Sequence, residues 1–152
     1  MTNWDDWQYY LGEWIGQGAG EPGEGNGGFR FYFDLQDQIL VRKNFAEYPA
    51  SEEKPAYRHD DLMVIYREPE RSFRATYWDN EGHVIHYTAE FSQDKNTLTF
   101  IGDIQLSAPR FRFTYKKMGN DALSIKFEVA PPGKPEEFAL YIEAAAQRKI
   151  RL

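Results

Sequence analysis

The 152-residue chain predicts an all-β fold: a closed, antiparallel, up-and-down β-barrel of about ten strands behind a short N-terminal helix. Three observations predict it. Aromatic residues recur with a period of two, as in Phe29/Phe31/Phe33 and Phe111/Phe113/Tyr115, the spacing that puts side chains on one face of a strand. Proline and glycine fall between the apolar runs, where turns need them. The connections are too short for parallel crossovers, so sequential strands pair antiparallel. An open sheet of that many strands would leave two exposed edges, and closing the meander removes both. A two-sheet sandwich is the competing fold, but it needs longer Greek-key crossings.

Thr2 or Asn3 caps the helix, Asp5 and Asp6 suit its first turn, and Gly12 ends it. Trp4, Trp7 and Leu11 follow the i, i+3, i+7 spacing of one helical face. That face suits the end of a barrel. Strands are predicted over Glu13–Gln17, Phe29–Leu35, Ile39–Ala46, Asp61–Arg67, Phe73–Trp78, Val84–Phe91, Thr97–Ile101, Arg110–Lys116, Leu123–Val129 and Phe138–Gln147. The Glu47–Arg58 stretch, with Pro49 and Pro55, reads as a long rim loop able to act as a lid.

Length fits one domain over residues 1–152, large enough to hold a core without cross-links. No cysteine is present, which excludes disulfides, thiolate catalysis and Cys-ligated zinc. The N-terminus carries acid where a secretion signal carries base, and no apolar run approaches the ~20 residues of a membrane span. A cytoplasmic location and no membrane partner are expected. Net charge is −6 with the basic residues scattered, so no nucleic-acid partner is expected either.

Leu11-Gly12-Glu13-Trp14 resembles the G-x-W opening of calycins, the lipocalin-like barrels, and Arg148-Lys149 resembles their closing basic residue. The resemblance implies a structural latch in which Arg148 packs across Trp14, a contact worth about 0.5–2 kcal/mol. Leu62–Tyr66, Glu68-Pro69-Glu70, Phe73–Trp78, Asp79-Asn80-Glu81-Gly82, Asp94–Phe100 and Pro132-Gly133-Lys134 are similar in order and spacing to an uncharacterised bacterial family of such barrels. Small-molecule binding in a barrel lumen, as in fatty-acid-binding-protein-like barrels, is what the likeness implies. The glycines Gly12, Gly16 and Gly18 around Trp14 also look like the start of haem-binding nitrobindin-type barrels. Those ligate haem through a histidine near the C-terminus, whereas the last histidine here is His86. No haem or other cofactor is therefore expected.

Most motif-like stretches have simpler readings. Gly18-Ala19-Gly20-Glu21-Pro22-Gly23 fits G-x-G-x-x-G, but a strand follows it rather than a phosphate-binding helix, so a flexible hairpin is expected. His83 and His86 are three apart on a strand and point to opposite faces, so they cannot share a metal. No metal site is expected. His59, Asp60 and Asp61 read as charge at a strand entry. No serine lies in a G-x-S-x-G elbow, and no two acids stand out as a spaced catalytic pair.

The lumen is the better site candidate. Assigning the more apolar face of each strand inward gives Phe29/Phe31/Phe33, Ile39/Val41/Lys43/Phe45, Leu62/Val64/Tyr66, Phe73/Ala75/Tyr77, Ile85/Tyr87/Ala89/Phe91, Leu98/Phe100, Phe111/Phe113/Tyr115, Leu123/Ile125/Phe127 and Leu140/Ile142. The opposite face carries Arg42, His86 and Arg112, either of whose arginines can pair with a ligand carboxylate. The candidate ligand-binding residues are Arg42, Lys43, Tyr66, Tyr77, His86, Tyr87 and Arg112. The expected function is non-enzymatic binding of a small hydrophobic or amphipathic, even anionic, molecule. The alternatives are an isomerase or hydrolase using lumen Tyr and His86, with no catalytic residue assigned, and a homodimeric interaction module docking through Trp78 or Tyr141.

Overall fold

In the computed structural model, described over residues 3–17, 26–69 and 72–150, ten strands close one antiparallel barrel. They are β1 (Gly12–Gln17), β2 (Asn26–Asp34), β3 (Ile39–Tyr48), β4 (Tyr57–Arg67), β5 (Phe73–Asp79), β6 (Val84–Phe91), β7 (Thr97–Gly102), β8 (Arg110–Lys117), β9 (Ala122–Ala130) and β10 (Ala139–Arg148). Each pairs with its neighbours in sequence, and β1 closes against β10. The glycine-rich Gly18–Gly23 stretch lies outside the described residues. No described helix is long and apolar enough to cross a membrane.

Two elements differ from expectation. Strands β3 and β4 run on past the predicted limits until Tyr48 pairs with Tyr57, and these two rings stack at 6.3 Å. Residues 49–56 remain as connection, so the rim loop is shorter than expected by two residues at each end. The N-terminal helix is a 3-10 helix over Asp5–Tyr10, with Trp4 at its N-cap. At three residues per turn, positions three apart align. Trp4, Trp7 and Tyr10 are therefore the buried face, in place of the expected Trp4, Trp7 and Leu11.

This helix plugs one end of the barrel. Trp7 is edge-on to Phe73, Phe91 and Phe100, and Tyr10 packs on Phe31 and Tyr115. Polar contacts tie it to the surrounding turns. Trp4 Nε1 donates to the Asp37 carbonyl at 2.9 Å, Tyr9 Oη donates to the Gly119 carbonyl at 2.7 Å, and Asp6 pairs with Lys95 at 3.4 Å. The turn that receives Trp4 holds Leu35, Gln36 and Asp37 at φ of 51°, 53° and 65°, three successive non-glycine residues in the left-handed region.

The first and last strands lock beside the plug. Trp14 sits opposite Arg148 in the β1–β10 register. The Arg148 guanidinium lies 4.4 Å from the Trp14 ring centroid and 5.4 Å from that of Tyr9. It also donates to the carbonyls of Leu11 at 2.7 Å and Tyr9 at 2.6 Å.

Six of the strand faces expected inside are inside: those of β2, β5, β6, β7, β8 and β9. On β3 and β4 the expectation is overturned. Leu40, Arg42 and Asn44 of β3 face the lumen, as do Asp61, Met63 and Ile65 of β4. Ile39/Val41/Lys43/Phe45 and Leu62/Val64/Tyr66 face outward. Apolar content misleads there because the buried charges compensate one another, which is the condition for burying a charge at all. On β10 a register shift between Leu140 and Ile142 turns Leu140 outward and leaves Ile142 opposite the lumen-facing Phe127.

Candidate functional site

The end opposite the plug is the mouth. Among the described residues no helix lies over it. The register stacks Arg42 beside Met63, Asn44 beside Asp61, and Asp61 beside Asp79 on the inner wall of β3, β4 and β5. This wall carries a polar cluster centred on Asp61, whose side chain is only 4% exposed.

Asp61 Oδ1 accepts from Arg42 Nη1 at 2.8 Å. Its Oδ2 accepts from Asn44 Nδ2 at 2.8 Å and from His59 Nε2 at 2.9 Å. Arg42 Nε also donates to Tyr115 Oη at 2.7 Å. His59 Nδ1 lies 2.7 Å from Glu81 Oε1, so the imidazole bridges two carboxylates. Tyr77 Oη donates to Asp79 Oδ2 at 2.9 Å and lies 3.4 Å from His59 Nε2. Asp79 is held in turn by the β5–β6 connection. Its Oδ1 accepts from the backbone N–H of Glu81 and of His83.

The electrostatics follow from these contacts. Hydrogen bonds to Asp61 first, then to Glu81, outweigh burial and raise His59 to about 9. The ring is therefore an imidazolium at neutral pH and donates from both nitrogens. Burial by itself pushes the Asp61 carboxyl up, but Arg42, His59 and Asn44 together hold it below the ordinary carboxylate range. Burial, with Asp61 and Asp79 nearby, drives the Tyr77 hydroxyl well above its usual value, so Tyr77 stays a protonated donor. Three carboxylates (Asp61, Asp79, Glu81) thus face two cations (Arg42, His59), and Arg42 Nη1 and Nε are engaged by Asp61 and Tyr115.

The rest of the lumen is aromatic and aliphatic. Phe100 and Phe113 stack at 4.5 Å, with Tyr87 edge-on to Phe113 at 5.3 Å. Across from the polar wall, Ile85, Phe111, Ile125 and Phe127 are half-buried, and Ile142 is 49% exposed. The mouth therefore has one charged, hydrogen-bonding side and one apolar side.

No protein-family model and no curated protein matches the chain. Among solved structures it is similar to the crystal structure of Rv2717c from M. tuberculosis, with a TM-score of 0.65 and 13% identity over 97% of each chain. At that identity the likeness shows a shared barrel fold.

Of the predicted site residues, Arg42, Tyr77 and Tyr87 lie in the lumen, and the first two belong to the polar cluster. Lys43, Tyr66, His86 and Arg112 lie on the outer wall. His86 Nδ1 is 3.4 Å from Thr76 Oγ1, on the outer face of β5 and β6, so the base expected for lumen chemistry is outside it. Arg112 makes a two-pronged pair with Glu128 at 3.0 and 2.9 Å and lies 4.1 Å from the Phe138 ring centroid. His59, Asp61, Asn44 and Asp79 were not singled out as site residues. Their signal is the i, i+2 spacing of His59 with Asp61 and of Arg42 with Asn44, legible once β4 is started at Tyr57.

His83 and His86 do not converge, as expected; His83 turns to Asp79, at 2.9 Å. A different set does converge: ligand atoms of His59, Asp79 and Glu81 lie within 4.8 Å of one another. Those atoms already hydrogen-bond to Asp61, Tyr77, His83 and each other. A cation there would have to displace the proton that His59 Nδ1 shares with Glu81.

Proposed function

We propose that the protein is a lipocalin-like binding barrel that takes a small amphipathic molecule into its mouth. The observation that carries this reading is the division of the mouth into two chemically different walls. An apolar body fits against Ile85, Phe111, Phe127 and Ile142. A polar group fits against Asp61, His59, Asp79 and Tyr77. Sites of this kind are mostly apolar with a few placed polar groups.

The charge of that wall selects the ligand. Arg42 spends Nη1 on Asp61 and Nε on Tyr115, and its side chain is only 11% exposed, so little of it reaches a ligand carboxylate. The carboxylate excess favours a neutral or cationic head that donates hydrogen bonds, in place of the anionic head expected from Arg42 and Arg112. Binding without catalysis is the favoured role, because His59 as an imidazolium is a poor general base.

Native mass spectrometry of the protein purified from its own host, before and after mild denaturation, tests this. A released small molecule of defined mass is expected, and Ala144→Trp, on β10 opposite the lumen-facing Ile125, fills the apolar side of the mouth and removes it. A wild-type spectrum with no adduct, together with no ligand-induced shift in the mouth residues by NMR across a library of amphipathic amines and alcohols, would sink the reading.

A further inference from the structure

A broad open groove lies outside the lumen. It lies on the outer wall of β1–β5 and has a volume of about 760 Å³, within the range of small-molecule sites. Its residues form two outward rows fixed by the strand register. One row runs Glu13, Arg30, Lys43, Leu62, Trp78 and the other Ile15, Gly28, Phe45, Asp60, Asn80.

Gly28 makes the depression. A Cβ there would meet the Trp14 carbonyl oxygen at 2.8 Å and the Phe45 ring at 3.3 Å. Only glycine lets Phe45 lie flat against the strand, and the missing side chain leaves a gap between Ile15 and Phe45. Arg58 covers part of the Phe45 ring at 4.7 Å. Ile15, at 50%, and Trp78, at 41%, are exposed, and Leu62 lies between Trp78 and Lys43. The floor is apolar and aromatic on a face open to solvent.

The charges beside that floor are unusual for this protein. Arg30 and Lys43 stand directly opposite each other on neighbouring strands, a like-charge arrangement that costs stability. Lys43 makes no ion pair among the described residues. Glu13 is engaged by Lys149 at 3.6 Å. With Lys149 beside it, this row gathers three cations (Lys149, Arg30, Lys43) to one acid, and in the second row Asp60 is paired with Arg58 at 3.0 Å, on a chain of net charge −6. An anion seated between Arg30 and Lys43 would relieve their repulsion.

We infer that this outer groove is a second binding site, for a small amphipathic anion. Its aromatic or aliphatic body lies on Trp78, Leu62 and Phe45, and its carboxylate, sulfonate or phosphate head sits between Lys43 and Arg30. The site lies on the opposite face of β3–β5 from the mouth's polar wall and is opposite to it in charge preference.

The probe is 1-anilinonaphthalene-8-sulfonate, titrated into the folded full chain and followed by fluorescence, with NMR to locate it. Saturable one-to-one binding is expected, with shifts at the Trp78 indole N–H. The indoles of Trp4, Trp7 and Trp14 are buried and should not respond. Lys43→Glu should weaken binding by tenfold or more while keeping the fold, since the new charge opposes Arg30 favourably. Trp78→Ala should weaken it comparably. Lys116→Glu, the same charge change on β8, should alter affinity less than twofold. Raising salt should weaken wild-type binding and leave the residual binding of Lys43→Glu nearly unchanged. Absence of saturable binding, or binding equally sensitive to Lys116→Glu and Lys43→Glu, would overturn the outer site. So would shifts confined to Tyr77, Phe127 and Ile142, which would place the probe in the mouth instead.

Discussion

The two ends of the barrel solve opposite problems. At the plugged end, Trp4, Trp7 and Tyr10 are buried and in ring contact with one another and with the walls. The polar atoms there serve mainly to tie the helix to turns. Trp7 Nε1 and Tyr10 Oη are buried without a hydrogen-bond partner among the described residues, a cost that packing outweighs. At the mouth the pattern reverses. Apolar side chains are half exposed, and the buried polar groups are ions joined in one hydrogen-bond network. Stability concentrated at one end lets the other carry a charged cluster and an uncovered apolar wall, neither of which favours the fold by itself.

The sharpest way to break this contrast is Trp7→Ala. It removes the centre of the aromatic plug and should cost toward the upper part of about 3–5 kcal/mol, read from the urea midpoint. Arg42→Met tests the mouth. Left without its guanidinium, buried Asp61 is uncompensated, and a loss of about 3 kcal/mol is expected. Pairing that change with Asp61→Leu should recover much of the loss, whereas no second substitution that removes a ring should rescue Trp7→Ala. Arg148→Met keeps the stem over Trp14 but loses the bonds to the Leu11 and Tyr9 carbonyls. About 2 kcal/mol should go, on the scale of hydrogen bonds made by charged groups.

Smaller effects sharpen the comparison. His59 is raised from its ordinary value to about 9 in the fold. Its contribution is therefore complete below about pH 6.5 and lost as pH rises through 9. Asp61 is depressed, so its contribution holds above the ordinary carboxylate range and is lost as pH falls through its lowered value. His59→Gln should flatten the stability profile between pH 6.5 and 9 relative to wild type. A wild-type profile that already shows no decline over that interval would refute the imidazolium bridge. At the plugged end, Gln36→Gly relaxes the middle residue of the left-handed turn and should stabilise by up to about 1 kcal/mol.

Much of this was legible in the sequence, and the exceptions have physical causes. Alternating aromatics and the placement of Pro and Gly located all ten strands, because a turn residue and a two-residue period act locally. The helix face was misassigned by one position, Leu11 for Tyr10, because a period of three and one of 3.6 diverge only at the second turn. The inner faces of β3 and β4 were missed for a different reason. Asp61 is buried because Arg42, Asn44 and His59 reach it, and Arg42 because Tyr115 lies across the lumen. That compensation joins β3, β4 and β8, and no single strand displays it. His59 looked like strand-entry charge for the same reason, its partners lying two residues and twenty-two residues away.

The Arg148 contacts also set the order of assembly. The bonds that close the ring span 137 and 139 residues of chain. Every other pairing in the barrel joins consecutive strands, so the meander can form by local zipping while its two outer strands are still apart. Closure then carries the largest loop entropy and comes late. Contacts absent from the transition state govern how fast a native molecule opens more than how fast it forms. A single guanidinium at the seam thus acts on the lifetime of the folded protein, and Arg148→Met should speed unfolding several-fold while leaving the refolding rate nearly untouched.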